Sequence, residues 1–170
     1  MKGLERMRAP MRRRVILGAA VLASVFFAVQ GAQAALSPFP AMAGTWSGGG
    51  LLSMVNGEQE HLHCRASYDV LGRGDALRLN LRCASPSYNF DLAGNVRYRG
   101  GTIFGDWTEA SRNASGTISG RAIGDHVEAA AQGQNLSANL SLTTRGNRQI
   151  VSIRPEEGDV RAVSLTLDRR

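Results

Sequence analysis

Few residues in this chain could carry metal, redox or nucleophilic chemistry. They are two cysteines, Cys64 and Cys83, and three histidines, His61, His63 and His126. A redox-active thiol pair normally uses a Cys-x-x-Cys spacing in an activating environment, and these cysteines are far apart in sequence. On a strand, His61 and His63 would share one face, which could supply two metal ligands. A structural zinc site needs four ligands at close spacing. The others would have to come from His126 or from acids such as Glu58 and Glu60. The pattern reads better as two solvated histidines beside Glu60, and no metal or cofactor is assigned. A Ser-His-Asp triad is recognised by geometry rather than by order. The Gly-x-Ser-x-Gly elbow that would single out a nucleophile is absent, because Gly116-Thr117-Ile118-Ser119-Gly120 displaces its serine. No catalytic residue is assigned, and enzymatic function is the least favoured reading.

The cysteines make structural sense in a hairpin. With Cys64–Val70 and Leu77–Cys83 as its arms, Val70 faces Leu77, Tyr68 faces Leu79, Ala66 faces Leu81, and Cys64 faces Cys83. Arg65, Ser67 and Asp69 then line the opposite face with Arg78, Asn80 and Arg82. Directly opposed residues lie within disulfide reach. A bond closing this loop would contribute about 3 kcal/mol in the chain-entropy model.

The elements that would hold these residues are strands. Tyr88, Phe90, Leu92, Val96 and Tyr98 alternate with Asn89, Asp91, Asn95 and Arg97. Leu136–Thr143 and Val163–Asp168 repeat the period of two, as half-buried antiparallel strands require. Val127–Gln132 has some helical character, but its length and flanking glycines favour a strand. Turn signals fall at Asn56-Gly57, Gly72–Asp75, Gly100-Gly101, Asn113–Gly116, Gly124-Asp125, Gly146-Asn147 and Gly158-Asp159. The expected fold is all-β, an antiparallel meander closed into one up-and-down barrel of eight to ten strands over 44–170. Residues 35–43, with Pro38 and Pro40, are expected to form an extended lead-in.

Residues 1–34 read as a signal peptide. Lys2 and five arginines precede an uncharged apolar run, Val15–Val29, and Ala32-Gln33-Ala34 offers a cleavage site after Ala34. The run is shorter than the roughly 20 residues of a spanning helix, which disfavours an uncleaved anchor and any stable membrane span afterwards. Arg12–Ile16 is also compatible with twin-arginine export. Of the chain's 20 basic and 14 acidic residues, 1–34 holds six and one, so the net charge falls from +6 to +1 on cleavage. Residues 35–170 are then expected to show a mixed-sign solvated surface, and the case for a nucleic-acid partner lapses. A periplasmic or secreted location follows. Asn113, Asn135 and Asn139 begin Asn-x-Ser triplets and read as turn and outward strand residues.

Gly-Thr-x-x-Gly recurs at Gly44, Gly101 and Gly116, as suits strongly bent barrel strands. The Gly44-Thr45-Trp46 opening resembles the first strand of lipocalin-like and avidin-like barrels. A longer pattern runs from Ala43–Gly50 through Arg82-Cys83-Ala84-Ser85 to Leu140–Asn147. It is similar to a group of small exported bacterial proteins of unknown function, and it implies export and a β fold without an activity. Avidin-like sites use several tryptophans, whereas this chain has Trp46 and Trp107. The favoured function is a binding barrel for a small apolar or amphipathic molecule, with Trp46, Phe90, Tyr98 and Trp107 as candidate cavity residues. Small interior positions such as Gly94, Ala129, Ala131 and Ala138 would decide whether space remains. The alternative is a protein-binding module, such as a periplasmic protease inhibitor, presenting the lead-in Ala35–Met42.

Overall fold

The period-two segments form ten antiparallel strands, each paired with its sequence neighbours, and β1 closes the sheet on β10. The computed structural model describes residues 36–134 and 136–170; the expected leader and its cleavage site lie outside them. A single helical turn, α1 (Phe39–Met42), precedes β1 (Gly44–Met54), β2 (Gln59–Leu71), β3 (Ala76–Ala84) and β4 (Asn89–Arg99). β5 (Thr102–Glu109) leads through a 3-10 turn (Ala110–Arg112) into β6 (Ala114–Ile123) and β7 (His126–Gly133). β8 (Ala138–Arg145), β9 (Arg148–Pro155) and β10 (Val160–Arg169) complete the barrel. The fold is lipocalin-like. Val127–Gln132 is a strand, as its flanking glycines indicated.

The cysteine hairpin has the expected register from Cys64↔Cys83 to Val70↔Leu77. The two sulfurs are bonded, with the Cα atoms 4.1 Å apart. Glycines permit the tight coiling elsewhere. A Cβ on Gly48 would collide with the Thr166 carbonyl, and one on Gly105 with that of Asn95. Residues 36–170 thus contain a closed sheet, its core and its crosslink, the attributes of an independently folding unit.

Antiparallel strands send successive turns to alternate ends of the barrel. The connections at 72–75, 100–101, 124–125 and 146–147 share one end with Leu36 and Arg170. Those at 55–58, 85–88, 110–113 and 156–159, with 134 and 136–137, form the other end, here called the mouth.

Three expectations need correction. Residues 39–42 are helical rather than extended, because Pro38 occupies the N-cap and Pro40 the first turn, where a missing N–H leaves no bond unmade. The lead-in is not exposed as a whole either. Phe39 and Met42 are buried and plug the end of the barrel opposite the mouth. The turn expected over Asn113–Gly116 also lies earlier. Glu109 accepts from the N–H groups of Ser111 and Arg112, and Asn113 takes a left-handed conformation (φ 51°) so that β6 begins at Ala114.

Candidate ligand site in the barrel lumen

Inward-facing side chains fill the plugged end. Trp46 is fully buried, its indole N–H donates to the Met42 carbonyl (2.7 Å), and the Arg169 guanidinium lies 4.3 Å from its ring centroid. Arg169 also donates to the carbonyls of Ala41 and Ala43, tying α1 to β10. Tyr98 packs edge-on against Phe39, with ring centroids 6.2 Å apart. Nearby, the Tyr68 hydroxyl donates to Gln149 Oε1 (3.1 Å), and Gln149 Nε2 donates to Thr144 Oγ1 (3.2 Å). All three side chains are buried. Burial raises the Tyr68 pKa far above its ordinary value, against a smaller lowering by the Gln149 bond, so the phenol stays neutral.

Above this polar floor the packing loosens. Leu79, Leu81, Phe90, Leu92, Ile118 and Leu140 remain partly exposed. A cavity of about 140 Å³ lies toward the mouth, with Phe90, Trp107 and Leu136 in its wall. A second cavity, of about 100 Å³, reaches down to Phe39, Met42 and Tyr68. The two share a belt that includes Leu79, Leu81, Leu92 and Ile153. Gly94, Ala131 and Ala138 line the upper cavity, so the small interior residues do leave space.

Trp107 and Phe90 therefore meet in one cavity, whereas Trp46 and Tyr98 lie outside both cavities, in the packed floor. Trp107 fits because it faces Gly94 on β4 and Gly116 on β6. Its indole N–H donates to the Thr117 carbonyl (3.0 Å). Sequence reasoning missed Leu81, Leu92, Ile118 and Leu136 as cavity residues. Their inward parity was the available signal, but aliphatic side chains at such positions usually just fill a core. Leu136, expected within a strand, lies just before β8.

Glu109 and Asp106 both border this space, and Glu109 is only 2% exposed. Its Oε1 accepts from the N–H groups of Asp91 (2.8 Å) and Ser111 (3.2 Å). Its Oε2 accepts from Arg112 N (2.8 Å) and Nη1 (3.3 Å). Burial works to raise its pKa, but these donors and the guanidinium outweigh it and hold the carboxyl below its ordinary value. With four donors in place, Glu109 anchors the rim. Arg112 extends over Tyr88 and Phe90, 4.3 and 5.2 Å from their ring centroids. A polar recess of about 460 Å³, bordered by Arg112, Asn113, Ser115 and Gln134, shares Leu136 with the upper cavity. The mouth thus places a polar vestibule beside an apolar chamber.

Other groups look outward. His61 and His63 are exposed on β2, and no cluster of three potential metal-binding side chains occurs among the described residues. Glu60 accepts from the hydroxyls of Ser85 and Ser87, which hold its carboxyl below the ordinary range. His126 Nδ1 lies 2.8 Å from Thr143 Oγ1, and its Nε2 lies 3.3 Å from Glu128 Oε1. That trio resembles a relay, but it stands on the outer wall of the β7–β8 pair, where backbone N–H groups serve strand pairing. A groove of about 530 Å³ on the same wall is lined by Arg121, Glu128 and Arg154 among small residues. It is open to water and does not remove a ligand from solvent as the lumen does.

No protein-family model matches the chain. No curated protein matches it in sequence either. Solved structures do match in shape. The crystal structure of Rv2717c from M. tuberculosis aligns with a TM-score of 0.61 at 13% identity, covering 80% of this chain and 99% of that one. The S-type phycobiliprotein lyase CPES from Guillardia theta aligns with a TM-score of 0.54 at 10% identity, covering 78% and 89%. Both are lipocalin-like barrels, and at these identities the likeness is one of fold.

Proposed function

We propose that this protein is an exported, non-catalytic binding barrel whose lumen takes a small apolar molecule, or the slender apolar part of an amphipathic one. The observation that carries this reading is the upper cavity, walled by Phe90, Trp107 and aliphatic side chains and adjoining the vestibule at the mouth. Its roughly 140 Å³ is close to the ~150 Å³ of an engineered apolar cavity that stays dry and binds benzene. Drug-sized ligands occupy about 300–1,000 Å³, so this shape favours a single ring or a short alkyl group. The Cys64–Cys83 bond supports export, since such bonds persist in oxidising compartments. A phycobiliprotein lyase among the structural neighbours is compatible with ligand handling on this fold.

Titration with benzene and short-chain alcohols, followed by methyl chemical shifts, tests the reading. Leu140, Ile118 and Ile153 should respond with saturable shifts, and Ala131→Leu should abolish them by filling the chamber. Absence of saturable shifts for every probe would overturn the lumen as a binding site. Ala138→Val provides a milder filling where Ala131→Leu disturbs folding.

A further inference from the structure

Charge is sorted along the barrel axis. The mouth carries Glu58, Glu60, Glu109, Glu156, Glu157 and Asp159, and the plugged end carries Arg73, Arg97, Arg99, Arg121, Arg145 and Arg148. Arg82, Arg112, Arg154 and Arg161 temper the first group, and Asp69, Asp75, Asp125, Glu128 and Asp168 the second. Arg145 pairs with Asp125 and Arg148 with Asp168. Arg73, Arg97, Arg99 and Arg121 enter no ion pair among the described residues, although Glu128 faces Arg121 across β6 and β7.

Three of these arginines form a patch on the outer wall. Arg97 stands opposite Phe104, Arg99 opposite Thr102, and Thr102 opposite Arg121 on the next strand. The Arg99 guanidinium lies 5.9 Å from the Phe104 ring centroid. Phe104 is 37% exposed, and Ile123, at the tip of β6, is 79% exposed. Leu36, Leu71 and Ile150 are also exposed in this half of the barrel.

We infer that the plugged end docks on an anionic lipid surface, with Arg97, Arg99 and Arg121 meeting headgroup phosphates while Phe104 and Ile123 enter the interface. Arginines alone would suit any polyanion. Exposed aromatic and aliphatic side chains at their edge gain free energy only where apolar surface leaves water, as at the boundary of headgroups and acyl chains. The acidic mouth is repelled from the same surface and faces water. This orientation is independent of what occupies the lumen.

Co-sedimentation of the domain 35–170 with vesicles tests the inference. Binding is expected on mixed phosphatidylcholine–phosphatidylglycerol vesicles, not on phosphatidylcholine alone, and should weaken as salt rises. At low salt, Arg97→Gln, Arg99→Gln and Arg121→Gln together should lower partitioning about 100-fold, at roughly fivefold per arginine. Phe104→Ser with Ile123→Ser should lower it about tenfold while leaving any affinity for polyuridylic acid unchanged. Glu156→Gln with Glu157→Gln at the mouth should not reduce it. Circular dichroism establishes that each variant is folded. Failure of the wild-type domain to bind mixed vesicles would overturn the proposal. So would undiminished binding by the folded arginine variant. Equal loss of vesicle and polyuridylic acid binding in the Phe104/Ile123 variant would also overturn it, by marking the patch as a site for soluble polyanions.

Discussion

Glu109 is a carboxylate almost removed from water yet kept ionised, because four donors converge on it from β4, the 3-10 turn and Arg112. Glu109→Gln keeps the shape but weakens those bonds and sets an amide N–H₂ against a donor. It should cost about 1–3 kcal/mol at neutral pH. The folded pKa lies below the unfolded one. The carboxylate's contribution is therefore complete above the ordinary carboxylate range and is lost as pH falls through the folded value. Urea midpoints from about pH 6 down to about pH 2 should accordingly show a shallower acid decline in Glu109→Gln than in wild type. A parallel decline would contradict this role. Cys64 and Cys83 were legible from sequence because a hairpin's local register alone opposes them. Glu109 was not: its bonds to Ser111 and Arg112 are local to the 3-10 turn, but the Asp91 N–H reaches it only once β4 and β5 have paired.

α1 shows how packing overrides local tendency. Four residues with no side-chain cap would not hold a helix in water, and the prolines argued for an extended segment. Phe39 and Met42 nevertheless seat in the end of the barrel, and burying them there stabilises the turn. Phe39→Ala with Met42→Ala should destabilise the domain by at least 2–5 kcal/mol, roughly the cost of one large core truncation. Thermal unfolding would measure it, and near-wild-type stability would show that α1 is dispensable. The lumen was only half legible. Alternation identified which side chains point inward, but whether Leu81, Leu92 and Leu140 meet across the barrel or leave a gap depends on its cross-section. That dimension follows from ten strands and the inward glycines opposite Trp107. Trp46 and Tyr98 look equivalent to Phe90 and Trp107 in sequence. Their distance from α1 separates floor from chamber.

At the scale of the whole molecule, closure depends on β10, which pairs with both β1 and β9 and supplies the buried Val163, Leu165 and Leu167. Truncation before Val160 should leave two unpaired edges and an opened core. We expect loss of the cooperative thermal transition, read by far-UV circular dichroism. A truncated chain that still melted cooperatively would mean that closure is not required. The mixed-sign surface expected for residues 35–170 is correct as an average and incomplete as geometry. Alternate turns point to opposite ends, so charges interleaved along the chain become separated in space, a pattern readable only once strand number and direction are known. The strand number has one more consequence. Ten is even, so the chain enters the barrel at Leu36 and leaves it at Arg170 on the same side, where the Arg170 N–H donates to the Thr45 carbonyl (2.9 Å). A tether or fusion attached at either point would project from one pole, leaving the opposite rim unobstructed for whatever diffuses toward it.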